Sequence, residues 1–105
     1  MVLVQSVFDN DVRLNFSTLR ITLARHPEMV KMKRLDQEVV TAVSEPDFVL
    51  AGKYGENIAV KRIVAGYFSG KWLLVPYQEG GDVSTVSATS QIEKMVGGRL
   101  ILWKR

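Results

Sequence analysis

Two prolines divide this chain into regions of different local geometry. A proline disfavours helical geometry at the residue before it, so a helix that begins at Ser17 or Thr18 has to end near His26, the residue before Pro27. The segment around Pro46 ends a second helical pattern in the same way. After Pro46 the chain changes to short runs rich in β-branched and aromatic residues. The prolines therefore predict two short helices followed by a sheet.

Residue spacing within these segments predicts which helix faces are buried. Leu19 and Leu23 have the i,i+4 spacing of one helix face, and we expect them to face the core in the first helix. In the second helix Val39 and Val43 repeat this spacing, and Asp36 is a suitable N-cap residue.

The remaining segments have strand character. "MVLVQSVF" and "VRLNF" flank the turn-prone "DND" and predict an opening hairpin. Later strands are predicted in "FVLAG", "NIAVKRIVAGYF", "KWLLVPY", "VSTVSAT" and "RLILWK", and a helical turn in "SQIEKMV". This order predicts an α+β fold in which an N-terminal hairpin and two short helices pack on a curved antiparallel sheet of about four strands. The sheet face beneath the helices is expected to bury Val75, Val86, Leu100 and Leu102.

Length and composition indicate one globular domain, residues 1–105, with 47% hydrophobic residues. The chain has no cysteine, which excludes disulfides, thiolate metal sites and a cysteine nucleophile. Its longest uncharged stretches, such as "IVAGYFSG", fall far short of a membrane span, and the N-terminus lacks the positive region of a secretory signal. We therefore expect a soluble, cytoplasmic protein with no membrane partner.

Charge is distributed unevenly along the chain, although the net charge is only +3. Residues 20–34 carry five cations against the single carboxylate Glu28: Arg20, Arg25, Lys31, Lys33 and Arg34. A basic surface of this kind attracts polyanions such as nucleic acid. On charge alone, a solvated face without a partner is the simpler interpretation.

Most catalytic chemistries lack the residues they need. A single histidine and scattered carboxylates do not form a metal-ligand set, and "GYFSGKW" and "AGKYGEN" lack the spacing of a phosphate-binding loop. No nucleophile elbow is present. We therefore expect no metal and no cofactor.

Metal-free RNA cleavage by the 2′-hydroxyl needs only proton transfer and groups that stabilise charge on phosphorus. His26 is of the residue type that exchanges protons near neutral pH. Arg25 with Lys61 or Arg62 can hold phosphate, although Lys61 and Arg62 point to opposite faces of one strand. In "VSTVSAT", alternation places Thr85, Ser87 and Thr89 on one face as a hydroxyl stripe.

Each of these residues also has a structural interpretation. A histidine at a helix C-terminus is as compatible with a helix-end role as with catalysis. Threonines in a strand are more often explained by β-propensity on a solvated face. Glu28 can orient His26 or simply pair with Lys31 three residues on. These alternatives stay open on the residues alone.

Four segments together resemble a known nuclease group: "SVFDNDVRLNFSTLRITLARHPEMV", "EVVTAVSEPDFVLAG", "AGYFSGKWLLVPYQ" and "GDVSTVSATSQI". In this order they are similar to the phage- and toxin-associated branch of the Barnase–EndoU–colicin–RelE-like nuclease superfamily. The most specific part is "RHPEM" followed by "EPDFV". The resemblance covers residues 6–104.

The resemblance implies an α+β fold with a four-stranded antiparallel sheet and metal-independent endoribonuclease activity. RNA, with tRNA as one candidate, is then the substrate, and an antitoxin or immunity protein is a partner to look for. Carried over by motif, the catalytic residues are His26, Arg25 and Thr85. The substrate-binding residues of this hypothesis are Lys31, Lys61, Arg62 and Ser87.

Two other hypotheses remain. The family's strand threonine is followed by an aromatic residue, whereas Val86-Ser87 follows Thr85 here, which favours a non-catalytic module that binds nucleic acid or protein on the same fold. The third hypothesis is a homodimer in which an exposed edge strand such as "RLILWK" pairs between subunits.

Overall fold

The computed structural model describes residues 1–105. The chain begins with a hairpin of two strands, β1 (Val2–Gln5) and β2 (Asp11–Leu14). Helix α1 (Phe16–Arg25), a 3₁₀ helix (Pro27–Lys31) and helix α2 (Leu35–Ser44) follow. The remaining elements are β3 (Phe48–Ala51), β4 (Asn57–Arg62), β5 (Trp72–Tyr77), β6 (Ser87–Thr89), α3 (Ile92–Val96) and β7 (Ile101–Lys104).

The main sheet has five antiparallel strands in the order β6-β5-β4-β3-β7, and the β1–β2 hairpin forms a separate two-stranded sheet. The α+β class predicted from the sequence is therefore confirmed. The main sheet has one strand more than the expected number of about four, because β7 pairs with the outer edge of β3.

Strands β4 and β5 carry apolar side chains on both faces of the main sheet, so both faces need cover. Ala59, Leu73 and Val75 point to the side on which α2 and the hairpin pack, called here the helix face. Val60 and Leu74 point to the opposite side, the α3 face, where they pack with Ile92 of α3. The sequence predicts cover by two helices and the hairpin only. In the structure, α3 adds cover on the second face.

The prolines end the helices as expected. Helix α1 stops at Arg25, and His26, with φ −131° and ψ 73°, lies outside helical geometry before Pro27. Helix α2 stops at Ser44 before Pro46. Asp36 is not the N-cap residue of α2, because the helix already begins at Leu35. Asp36 lies instead in the first turn, where a carboxylate interacts favourably with the helix dipole.

The buried face of α1 differs from the expectation. Leu19 packs against the core as expected, but Thr18 and Thr22 are the buried residues of α1, and Leu23 is 37% exposed. The reason is hydrogen bonding to the segment before β6: the Thr18 hydroxyl donates to the Val83 carbonyl at 3.0 Å, and the Val86 N–H donates to the Thr22 hydroxyl at 3.1 Å. Segment 83–86 has no complete strand partner, so the threonine side chains satisfy its backbone groups.

The expected core positions divide between buried and exposed. Val75 and Val86 are fully buried, as predicted, but Leu100 is 69% and Leu102 is 38% exposed. Leu100 precedes β7, and β7 is an edge strand whose only neighbour is β3. Helix α2 packs on the central strands β4 and β5, and neither leucine belongs to a core cluster, so the prediction is wrong for these two positions. No helix of the chain has the length and apolar character required to span a bilayer.

Arg13 connects the hairpin to the turn after β5. Its backbone N–H donates to the Gly81 carbonyl, its carbonyl accepts from the Val83 N–H, and its Nε donates to Oδ1 of Asp82 at 2.7 Å. The Asn15 side chain also donates to Asp82. The hydrogen bond from Arg13 lowers the pKa of Asp82, and burial opposes this only in part.

We predict that Thr22→Val lowers the free energy of unfolding by about 1–3 kcal/mol, because the buried N–H of Val86 loses its acceptor. Urea denaturation followed by circular dichroism measures this change. Thr41→Val is the matched control: Thr41 lies in α2 and its hydroxyl makes no hydrogen bond, so stability should change by less than about 0.5 kcal/mol. Equal losses in both variants would contradict the role of the Thr22 hydroxyl.

We also predict that Asp82 titrates below the ordinary aspartate value in the folded protein. Because its pKa is lowered on folding, the Arg13–Asp82 pair stabilises the folded state above the pKa of the unfolded chain, and this contribution disappears as the pH falls through the folded-state pKa. An NMR titration of the Asp82 side-chain carbon measures the midpoint. In Arg13→Gln the midpoint should move upward, and an unchanged midpoint refutes the proposed cause.

Candidate nucleic-acid interface

A cavity of about 720 Å³ lies between the 3₁₀ helix, the start of α2 and the loop that follows β4. This volume falls in the range of small-molecule binding sites. Its lining includes five cationic residues and one carboxylate, Glu38. The cations are Lys31, Lys33, Arg34, Lys61 and Arg62. A concave surface with this excess of positive charge favours an anionic ligand.

The two cations from β4 are already engaged by the protein. The Lys61 Nζ donates to the Glu45 carbonyl at 2.7 Å, and Lys61 lies opposite Leu73 on the helix face. Arg62 lies opposite Trp72 on the other face, with its guanidinium carbon 5.5 Å from the centre of the Trp72 ring. The structure therefore places these adjacent residues on opposite faces, as strand alternation requires.

The cations between the 3₁₀ helix and α2 are more available to a ligand. Lys33 and Arg34 are exposed and make no side-chain hydrogen bond or ion pair within the protein. Arg34 has φ 55°, a left-handed conformation that allows the chain to turn into α2 directly after Lys33. Neither Lys33 nor Arg34 is predicted from the sequence as a substrate-binding residue. Only the tertiary structure shows that the cavity opens beside them.

One wall of the cavity is aromatic. Tyr67 and Phe68 lie in the loop between β4 and β5. The Lys31 Nζ lies 4.3 Å from the centre of the Tyr67 ring, which is within the range of a cation–π interaction. Lys31, a predicted substrate-binding residue, is therefore held against an aromatic ring at the cavity wall. Sequence reasoning missed Tyr67 because "AGYFSG" was interpreted only as part of a strand and turn.

His26 lies at the junction between α1 and the 3₁₀ helix and is partly exposed. Its Nδ1 is 3.6 Å from Oε1 of Glu28, a separation that allows an ion pair when the imidazole is protonated. Glu28 makes no ion pair with Lys31, and its 3.6 Å separation from His26 is longer than a hydrogen bond. Arg25, the last residue of α1, is exposed and has no ionic partner.

Thr85 lies in the segment that α1 holds through its two threonines. Thr85 is adjacent to Val86, whose N–H donates to the Thr22 hydroxyl. Thr22 lies one helical turn before His26. Thr85 is partly buried, and its hydroxyl makes no hydrogen bond. The fold thus brings the end of α1 and the segment that contains Thr85 into the same region.

Ser87 lies on the opposite side of the sheet. In β6 it pairs with Leu74, and Thr89 pairs with Trp72, both on the α3 face. Ala88, between them, packs against the cluster on the helix face. The predicted site residues therefore divide between the two faces of the sheet: Ser87 and the Arg62 guanidinium lie on the α3 face, and Lys61 lies on the helix face.

Another polar cluster lies at the far end of β5. The Ser6 hydroxyl and the Asn57 amide both donate to the Glu79 carboxylate, at 2.8 and 3.1 Å. The adjacent Tyr77 hydroxyl is fully buried and has no hydrogen-bond partner. Burial, and then the Glu79 carboxylate, raise the pKa of Tyr77 above its ordinary range. Tyr77 therefore stays protonated at neutral pH, and the cluster connects the hairpin to the sheet.

No three histidine, cysteine, aspartate or glutamate side chains converge into a group that could hold a metal ion. Comparison with known proteins gives no relative: no protein-family model, no curated protein and no solved structure matches this chain.

Proposed function

We propose that this domain binds RNA in the basic cavity and cleaves it without a metal, by attack of the 2′-hydroxyl on the neighbouring phosphate, with tRNA as one candidate substrate. The observation that carries the proposal is the connection between the cavity and His26. His26 is the N-cap of the 3₁₀ helix, and Lys31, its last residue, lines the cavity. With a rise of about 2.0 Å per residue, the Cα atoms of His26 and Lys31 are about 10 Å apart along the helix axis.

Phosphate groups explain the excess of cations better than other ligands of this size. Lys33 and Arg34 have no partner in the protein, and Lys61 and Lys31 add positive charge along the same wall. Binding of a polyanion to such a surface releases counterions and weakens steeply with salt. An RNA strand that lies across these residues extends toward the end of α1, where His26 and Arg25 are exposed.

The cleavage step needs a proton acceptor beside the 2′-hydroxyl. In the proposed step one imidazole nitrogen of His26 takes the 2′-hydroxyl proton, the 2′-oxygen bonds to phosphorus, and the bond from phosphorus to the 5′-oxygen breaks. The departing oxygen takes a proton from water. The products are a 2′,3′-cyclic phosphate and a 5′-hydroxyl.

Neighbouring groups support this role of His26. Glu28 lies on the Nδ1 side of the ring at 3.6 Å, so the carboxylate stabilises the imidazolium that forms and leaves Nε2 for the substrate. Arg25, next to His26 in the chain, and the Thr85 hydroxyl are the groups proposed to bind the extra negative charge on phosphorus.

A second function, RNA binding without cleavage, is favoured by one observation. Ser87 and the guanidinium of Arg62 lie on the α3 face, so two of the groups proposed to hold phosphate are not beside His26. Strong RNA binding in the cavity, with no RNA cleavage that depends on His26, would identify this function.

We predict that Lys33→Gln/Arg34→Gln weakens RNA binding and reduces the slope of log K against log salt by about 1.4, because two phosphate contacts are lost at about 0.7 each for a single strand. Fluorescence anisotropy at several salt concentrations measures both quantities. Lys53→Gln/Lys94→Gln is the matched control, since it removes the same charge from exposed lysines elsewhere. If the control pair reduces the slope equally, the cavity is not the binding surface.

We predict that the purified protein cleaves total tRNA in EDTA to give cyclic phosphate ends, and that His26→Ala slows this by about 10²–10⁴-fold, the usual contribution of general acid–base catalysis. Glu28→Gln should slow it less, because it removes the carboxylate beside the imidazole without removing the imidazole. Gel analysis with mapping of the cut ends provides the measurement. Intact RNA in the wild-type sample refutes the cleavage proposal, and equal cleavage by His26→Ala refutes the assignment of His26.

A further inference from the structure

Tyr67 is held in place by a loop with its own hydrogen-bond network. The loop spans residues 63–71 between β4 and β5. The Ile63 N–H donates to the Lys71 carbonyl at 2.9 Å, and the Gly70 N–H donates to the Ile63 carbonyl at 2.8 Å. Gly70 has φ 87°, a conformation that side chains disfavour. The closed loop fixes the backbone on both sides of Tyr67.

The Tyr67 ring contacts two side chains of the protein and is otherwise exposed. The Lys31 ammonium lies 4.3 Å from its centre, and the buried Phe68 ring meets it nearly perpendicularly, at 81° with centres 4.9 Å apart. The side chain is nevertheless 62% exposed. Most of the Tyr67 side chain is therefore available to a ligand.

An exposed aromatic ring beside unpaired cations matches the chemistry of a nucleotide. Nucleobases stack on aromatic rings, and Lys or Arg side chains bind the attached phosphate. The bases of a duplex are stacked on one another, so only an unpaired nucleotide can place its base on Tyr67. The cavity volume of about 720 Å³ accommodates such a group.

We propose that Tyr67 is the stacking platform for an unpaired nucleotide of an RNA strand, with Lys33 and Arg34 on the phosphates that flank it. This inference rests on the proposed RNA binding and adds selectivity for single-stranded over duplex segments. A free mononucleotide shares this chemistry, but the cations extend past the aromatic wall along the turn into α2, which favours a strand with several phosphates.

The test measures binding of three probes to the intact protein. The probes are a labelled single-stranded 2′-O-methyl RNA, which lacks the attacking hydroxyl and stays intact, its blunt duplex, and unlabelled AMP as a competitor. The variants are Tyr67→Ala, Tyr67→Phe and Tyr54→Ala. Tyr54 is the matched control, since this tyrosine is 86% exposed in another loop. Thermal unfolding confirms that each variant is folded.

We expect Tyr67→Ala to weaken single-strand binding about 5- to 150-fold, the equivalent of one lost stacking contact. Tyr67→Phe should bind nearly as the wild type, Tyr54→Ala should be unchanged, and duplex binding should be weak and the same in all proteins. AMP should compete only at concentrations far above the dissociation constant of the strand.

Four results overturn the inference. If Tyr67→Ala binds the single strand as tightly as the wild type, RNA binding stands and stacking on Tyr67 is wrong. If Tyr67→Ala weakens binding of the duplex and of the single strand equally, Tyr67 does not distinguish single-stranded from duplex RNA. If AMP competes as well as the strand, the cavity takes a free nucleotide. Absence of any RNA binding by the wild type refutes the proposed function together with this inference.

Discussion

The central strands β4 and β5 are apolar on both faces, and this constraint determines what surrounds them. Ala59 and Val75 need cover on the helix face, and Val60 and Leu74 need it on the α3 face. Burial of apolar surface is the main favourable contribution to folding, so a sheet with two apolar faces is stable only between two layers. Helix α2 and the hairpin supply one layer, and the five-residue helix α3 supplies part of the other.

The candidate site lies where this cover ends. At the end of β4 the chain leaves the sheet, and the side chains around it change from apolar to cationic. The loop after β4 supplies the aromatic wall, and the turn between the 3₁₀ helix and α2 supplies the unpaired cations. Loops on a rigid scaffold commonly carry binding residues in this way. The site therefore requires no change in the core. Its charged side chains stay in contact with solvent, so their desolvation costs little free energy.

The proposed binding and the proposed chemistry involve different residues. Lys33, Arg34 and Tyr67 line the cavity, whereas His26 and Glu28, the residues proposed for proton transfer, lie at the other end of the 3₁₀ helix. Pro27 determines this geometry, since it ends α1 and begins the tighter helix that connects the two regions. A variant that loses one property need not lose the other.

The sequence by itself determined the α+β class, the C-terminal ends of α1 and α2, the opposite directions of Lys61 and Arg62, and a basic stretch at residues 20–34. These follow from local rules: proline restricts its neighbour, and side chains alternate in a strand. Only the tertiary structure decided that α1 buries threonines rather than Leu23, that Leu100 lies at an exposed edge, and that Lys31 meets Tyr67. These outcomes join residues far apart in the chain, and they depend on which strands pair and in which register, so no local pattern contains them.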